Sequence, residues 1–262
     1  MQLIIVVISI ILTGCSMVNY EVDNVTYTAK GKNQRVKFII LHYTACDDKI
    51  SIDTLTKGNV SSHYLITTHK WDPIFQLVPE NERAWHAGIS SFQGRSNLND
   101  TSIGIEIVNL GVSETEGGLK LHPFHESQIR KTAYLIKKLS KKYKIEPKNI
   151  LGHSDISPGR KIDPGPLFPW ERLHREFGIG AWYDSIDFNF YYDSAIFGIY
   201  STENIQSEFK RYGYDMEVSG EWSEKDKKIL KAFQLHFRPK NISGEIDLET
   251  FAMIKALNHK YR

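Results

Sequence analysis

Residues 152–170 (GHSDISPGRKIDPGPLFPW) constrain the fold of this chain more than any other segment. The stretch holds four prolines and three glycines, so we predict a long shaped loop without regular secondary structure. Loops of this length inside a compact domain are functional or disordered. The embedded His153, Lys161 and Asp163 favour a functional loop.

A short segment well before this loop supplies a further candidate donor. Residues 36–41 (VKFIIL) are apolar and β-branched, which predicts a buried strand that delivers His42 at its end. Zinc prefers nitrogen, sulfur and carboxylate donors, and a catalytic zinc site uses three protein ligands. His42, His153 and Asp163 fit that donor set if the loop packs beside the strand. Spacing alone does not identify a metal site, because His and Asp are common residues.

Further strands and helices are predicted along the chain. Strands are expected over residues 62–67, 74–78 and 102–108, and the last of these carries Glu106 near its end. A helix is expected over residues 126–143, where apolar residues recur at helical spacing. Lysines occupy its other face, which we interpret as a solvated surface.

The C-terminal part of the chain predicts a small helical unit. Helix-like patterns cover residues 202–212 and 223–237. Asp247, with Thr250 three residues later, has the pattern of an N-cap and predicts a last helix running through Leu257.

The N-terminus predicts a lipid-anchored protein. Residues 3–12 (LIIVVISIIL) form an apolar run of signal-peptide length, about half of the roughly 20 residues that span a bilayer. The following residues 12–15 (LTGC) resemble a bacterial lipobox, which implies a signal peptide over residues 1–14 and an acyl (palmitate) lipid on Cys15. Ser16 then implies sorting to the outer membrane. The alternative is an ordinary buried strand or short helix, since no Lys or Arg precedes the apolar run.

Charge and cysteine content narrow the remaining possibilities. The 33 basic and 31 acidic residues give a net charge of +2, which argues against recruitment of nucleic acid by bulk electrostatics. If Cys15 carries lipid, Cys46 has no intramolecular disulfide partner. Cys46 lies four residues after His42, so it is a nucleophile, a zinc ligand or a small bystander. We favour the bystander because better ligands exist.

Five motifs occur in an order that resembles the N-acetylmuramoyl-L-alanine amidases of the amidase-2 family. These motifs are FIILHYTA (38–45), SHYLI (62–66), WHAG (85–88), SIGIE (102–106) and GHSDISPGRKIDPG (152–165). The resemblance implies an α/β (α+β) fold shared with peptidoglycan recognition proteins. In that fold a central mixed β-sheet is flanked by helices, and here a small C-terminal three-helix domain follows.

The resemblance also implies roles for individual residues. It implies that His42, His153 and Asp163 bind one Zn²⁺, which polarises the substrate carbonyl and activates water. It further implies that Glu106 is the general base and that Lys161 stabilises the oxyanion.

Four neighbouring residues have less specific expectations. Trp85 and His86 are expected to line the substrate groove, and His63 is either structural or in contact with substrate. Asp155 either orients His153 or caps a turn, and capping is the simpler role.

The expected organisation is a tether over residues 15–34, a catalytic domain over 35–179 and a linker over 180–200. Residues 201–262 resemble peptidoglycan-binding domain type 1 through AFQ (232–234) and GEIDLET (244–250), although a structural cap is the alternative. We expect a monomer bound to peptidoglycan and muropeptides, anchored in the outer membrane and facing the periplasm.

The expected activity is zinc-dependent hydrolysis of the amide between N-acetylmuramic acid, or its anhydro form, and the L-alanine of the stem peptide. One alternative is a non-catalytic peptidoglycan receptor on the same fold, and another is a metal-dependent peptidase that cuts within the stem peptide. The presence of all three ligand positions together with Glu106 favours catalysis.

Overall fold

The computed structural model describes residues 20–261, and the chain divides into the units Met1–Asn33 and Gln34–Arg262. The predicted signal peptide and Cys15 lie outside the described residues. Residues 20–33 are exposed and contain no helix or strand. Within the described part of the chain, no helix combines the length and apolarity needed to cross a membrane.

The second unit contains nine strands and nine helices among its described residues. The strands are β1 (Phe38–Tyr43), β2 (Tyr64–Ile66), β3 (Phe75–Gln76), β4 (Ser91–Phe92), β5 (Arg95–Ser96), β6 (Ser102–Ile107), β7 (Val112–Thr115), β8 (Gly118–Leu121) and β9 (Ile150–Gly152). The helices are α1 (Asp48–Lys57), α2 (Glu126–Tyr143), α3 (His153–Ile156), α4 (Trp170–Phe177), α5 (Ser185–Tyr191), α6 (Ser194–Gly198), α7 (Thr202–Tyr212), α8 (Glu224–Phe237) and α9 (Leu248–Lys260).

Five strands form the central sheet in the order β3-β2-β6-β1-β9. All neighbouring pairs are parallel except β2 and β3, so the sheet is mixed, as predicted. The interior strand β1, which lies between β6 and β9, has its first residues buried on both faces, which explains its unbroken apolar sequence. Two short hairpins, β4-β5 and β7-β8, lie outside this sheet.

The parallel strands bring the candidate site residues to one edge of the sheet. His42 near the end of β1 is paired in register with Glu106 near the end of β6. On the other side of β1, β9 ends at Gly152 and leads directly into His153. Carboxyl ends of parallel strands are where ligands bind in open α/β sheets.

The prediction of no regular structure over residues 152–170 is wrong at both ends. Gly152 completes β9, and α3 follows as a single helical turn. The prolines of this stretch begin only at Pro158, so the residues before it are free to form that turn. At the other end, Trp170 opens α4 directly after Pro169.

The C-terminal helices form where the sequence predicts them. Ser223 and Asp247 cap α8 and α9, each accepting a hydrogen bond from the backbone N–H three residues later. Residues 180–200 differ from a plain linker because they contain α5 and α6. Aromatic side chains of this segment pack on α9, with the Phe197 and Phe251 ring centroids 5.1 Å apart.

One cluster of buried apolar side chains extends from Val36 to Leu257. Aromatic contacts connect its parts, and the Phe92 ring lies 5.5 Å from the Tyr214 ring. The boundaries expected at residues 179 and 200 stay a prediction.

Candidate active site

Three side-chain atoms converge at the carboxyl edge of the sheet. The Nδ1 atoms of His42 and His153 lie 2.9 Å apart, and each lies 3.1 Å from Oδ2 of Asp163. All three residues are buried. Asp163 is tied to the start of the same loop because the Ser154 N–H donates to its carbonyl oxygen over 3.0 Å.

A relay of hydrogen bonds fixes the tautomer of His42. The Ser102 hydroxyl donates to the Leu98 carbonyl over 2.6 Å, so it accepts from the Nε2–H of His86. The Nδ1 atom of His86 is therefore an acceptor, and the Nε2–H of His42 donates to it over 3.0 Å. This leaves the Nδ1 lone pair of His42 pointing at the other two donor atoms.

His153 is oriented in the same sense by a backbone carbonyl. Its Nε2 atom lies 3.1 Å from the Ala87 carbonyl oxygen and 3.1 Å from a guanidinium nitrogen of Arg160. A proton on Nε2 bonds to the carbonyl and leaves Nδ1 as an acceptor. The Arg160 guanidinium donates to the same carbonyl over 2.7 Å and to the Ile89 carbonyl over 2.9 Å. Arg160 thus fastens the segment around Ala87 to the loop that carries His153.

The surroundings keep the imidazoles of His42 and His86 neutral. Burial, with a further contribution from His153, lowers the pKa of His42 to about 4. Burial and the neighbouring His42 also hold the pKa of His86 well below its usual value. The Nδ1 lone pair of His42 therefore faces the Nδ1 atom of His153 and a carboxylate oxygen of Asp163. This donor set fits a metal cation, and its types suit zinc.

Glu106 lies beside the convergent donors. It is partly buried, and its Oε2 atom has no hydrogen-bond partner among residues 20–261. Burial, reinforced by the charge of Asp163, raises the pKa of Glu106 to about 8, while Lys161 acts in the opposite direction. A carboxyl group with its pKa near the working pH suits proton transfer.

The raised pKa of Glu106 predicts a pH dependence of stability for the metal-free protein. The unfolded carboxyl loses its proton near pH 4.5, whereas the folded one keeps it to about pH 8. Folding therefore loses about 1 kcal/mol per pH unit between these values. Glu106→Gln cannot titrate, so its stability advantage over the wild type should grow from pH 5 to pH 8. Urea unfolding in excess chelator measures that gap, and a gap that does not change with pH would contradict the assignment.

The three candidate metal ligands line a cavity of about 180 Å³. Glu106 and Lys161 line it, and Trp85, which is 58% exposed, lies at its rim. Cys46 also lines the cavity, but its thiol contacts the Thr44 carbonyl and Ser51 and lies outside the convergent donor set.

The two histidines expected near the substrate groove differ in their position relative to the cavity. His86 borders the cavity, but both of its ring nitrogens are occupied by His42 and Ser102. His63 is fully buried and does not line the cavity. Its Nδ1 accepts from the Gly104 N–H, and its Nε2–H donates to the Glu82 carbonyl. A substrate contact stays a prediction for both histidines.

The sequence interpretation missed part of this support. Ser102, Gly104 and Glu106 alternate along β6 and therefore share one face. A Cβ atom at Gly104 would lie only 2.4 Å from Cγ of His86, so glycine makes room for that ring. The available sequence signal was that three successive positions on one face of β6 are polar or small, although the neighbouring positions are apolar. Asp155 caps a turn as expected, since it accepts from the Gly152 N–H over 2.8 Å.

A mixed α/β domain that brings a buried His-His-Asp set beside a glutamate whose Oε2 atom has no hydrogen-bond partner among residues 20–261 is typical of metal-dependent hydrolases. Comparison with known proteins makes this more specific. The family model described as N-acetylmuramoyl-L-alanine amidase (Amidase_2) matches residues 32–166. The chain is 41% identical to the N-acetylmuramoyl-L-alanine amidase AmiD of Escherichia coli, across 98% of this chain and 97% of AmiD. The chain belongs to the amidase-2 family.

Solved structures agree with this assignment. Escherichia coli AmiD in complex with the substrate anhydro-N-acetylmuramic acid-L-Ala-D-γ-Glu-L-Lys is similar with a TM-score of 0.80 and 42% identity, covering 90% of this chain and 93% of that chain. AmpDh3 of Pseudomonas aeruginosa with an anhydromuramic pentapeptide gives a TM-score of 0.84 and 42% identity, covering 92% and 98%. The predicted family, fold and amidase class are confirmed.

Proposed function

We propose that this chain hydrolyses the amide between N-acetylmuramic or anhydro-N-acetylmuramic acid and the L-alanine of peptidoglycan stem peptides, with one Zn²⁺ held by His42, His153 and Asp163. The observation that carries this proposal is the convergence of three buried acceptor atoms within 3.1 Å of one another. Family membership supplies the bond that is cut.

When bound, zinc supplies Lewis acidity to the scissile carbonyl and to water. The side chains around it carry the proton and the charge. Glu106 takes a proton from water and passes it to the departing amine, a role that suits a carboxyl group whose Oε2 atom has no hydrogen-bond partner in the described part of the chain. Lys161, exposed at the same cavity, supplies positive charge to the oxyanion that develops at the carbonyl.

The muropeptide complexes of AmiD and AmpDh3 support fragments with an anhydromuramic end as substrates for this chain. Trp85 at the cavity rim offers an exposed aromatic face for the sugar or the stem peptide. His86 borders this groove and holds the ring of His42, whereas His63 supports β6 by accepting from the Gly104 N–H.

Digestion of purified peptidoglycan and of an anhydromuropeptide tests the proposal, with mass spectrometry of the products and a chelator control. The amidase interpretation requires free L-alanine amino termini and intact sugars, with cleavage lost in chelator and restored by zinc. Cleavage inside the stem peptide would identify a peptidase. If zinc-loaded protein cuts neither substrate at any pH from 5 to 9, a receptor on this fold replaces the enzyme.

We further propose that the mature chain begins at Cys15 and is a monomer anchored by acyl chains in the outer membrane, facing the periplasm. The LTGC sequence before and at Cys15 supports the anchor. Cys15→Ala should abolish incorporation of labelled palmitate and release the protein from the membrane fraction. A Cys46→Ala variant serves as the matched control and should keep the label. If Cys15→Ala still incorporates labelled palmitate, the lipid is attached to another residue and the proposed anchor at Cys15 is wrong.

A further inference from the structure

The carboxylate of Asp155 joins the candidate metal site to the C-terminal helices. Asp155 is 1% exposed and accepts three hydrogen bonds. The Gly152 N–H donates to its Oδ2 atom over 2.8 Å, as does the Nδ1–H of His236 over 2.7 Å. The Tyr214 hydroxyl donates to Oδ1 over 2.7 Å. Two of the three donors thus come from the region after residue 200.

Asp155 controls the backbone that carries the candidate metal ligands. His153 is the first residue of α3, a single turn of four residues that begins after Gly152. An isolated turn is not stable by itself, so its position depends on the groups bonded to it. The next residue, Ser154, donates its N–H to the carbonyl of Asp163. A shift of α3 therefore moves both His153 and Asp163.

The donors from the C-terminal region are themselves held rigidly. His236 lies between two aromatic rings, with centroid distances of 3.8 Å to Trp170 and 4.0 Å to Phe237. Tyr214 is buried among aromatic side chains that include Phe92 and Phe233. Neither side chain can follow Asp155 if the turn moves, so both define where the carboxylate lies.

We propose that Tyr214 and His236 are positioning residues for the metal centre and act through Asp155 on His153 and Asp163. The proposal rests on the metal role assigned above to these two ligands. Removing one donor leaves a buried carboxylate oxygen with an unmet hydrogen bond, and the turn then relaxes towards other donors or water. The C-terminal helices thereby contribute to metal affinity without touching the metal or the substrate.

Tyr214→Phe tests this inference because it deletes one hydroxyl and keeps the ring. Tyr212→Phe is the matched control, since the Tyr212 hydroxyl is buried in the same cluster but has no hydrogen-bond partner in the described part of the chain. Zinc affinity is measured on the full chain by competition with a chromophoric chelator. We expect about a tenfold loss for Tyr214→Phe, at the low end of what groups supporting a ligand contribute, and no change for Tyr212→Phe.

A second readout separates positioning from general stability. If Tyr214 acts on the ligands, excess zinc should restore the amidase activity of Tyr214→Phe towards the wild-type value. His236→Phe keeps an aromatic ring between Trp170 and Phe237, and it replaces Tyr214→Phe if that variant does not fold. Equal zinc affinity in the wild type and the folded variant would overturn the inference. A wild type that binds no zinc would instead contradict the proposed function.

Discussion

Glu106→Gln should lower the rate of muropeptide cleavage by about 10²- to 10⁴-fold and leave zinc affinity close to that of the wild type. Glutamine has nearly the same size as glutamate but cannot accept a proton at neutral pH. Glu106 lies outside the three convergent donors, so its replacement leaves His42, His153 and Asp163 in place. Steady-state rates on an anhydromuropeptide, together with chelator competition, measure both quantities on one preparation.

The matched control is Glu114→Gln, which neutralises an exposed carboxylate on β7 and should leave both quantities unchanged. The general-base role of Glu106 is wrong if Glu106→Gln cleaves at a rate near that of the wild type. A fall in zinc affinity that accounts for the lost rate would move Glu106 from proton transfer to metal binding.

His153→Ala should abolish cleavage because it removes one of the three donors. We expect zinc affinity to fall by at least about a hundredfold, since the loss of an outer supporting group alone costs 10- to 100-fold. The remaining donors, His42 and Asp163, come from different elements and no longer form a closed set. Zinc content after dialysis, the change in unfolding temperature on adding zinc, and the rate of cleavage together give the result.

His69→Ala provides the control for this variant, since His69 is an exposed histidine that pairs with Asp72 at the surface. It should bind zinc and cleave substrate as the wild type does. Tight zinc binding by His153→Ala would show that the convergent atoms are not the metal ligands, and the site would then have to be sought elsewhere.

Local sequence patterns predict most of the elements that place the site. The apolar run before His42 follows from burial of an interior strand on both faces. The N-cap chemistry of Asp247 is equally local, and its helix begins where the pattern predicts. Such features depend on neighbours within a few residues, which is why the sequence alone reveals them.

The tautomer of His42 and the hydrogen bonds that hold Asp155 depend on contacts between residues far apart in sequence, which no local pattern contains. The relay behind His42 needs His86 and Ser102, which come from separate segments and meet only in the folded chain. The two long-range donors to Asp155 also come from distant parts of the sequence. Tyr214 lies 59 residues after Asp155, and His236 lies 81 residues after it. A turn-capping role for Asp155 was predictable from its neighbours, but the two further donors were not.

The glycine at position 104 limits which proteins could accept this metal site by grafting. β-Branched residues are enriched in strands and glycine is depleted, and any side chain at this position would enter the space taken by the imidazole of His86. A host protein therefore needs a glycine at the corresponding strand position before a histidine equivalent to His86 can hold His42 in the required orientation. The smallest unit that can be grafted is therefore β6 with Gly104 and Ser102, together with His86. The three candidate metal ligands are then added to it.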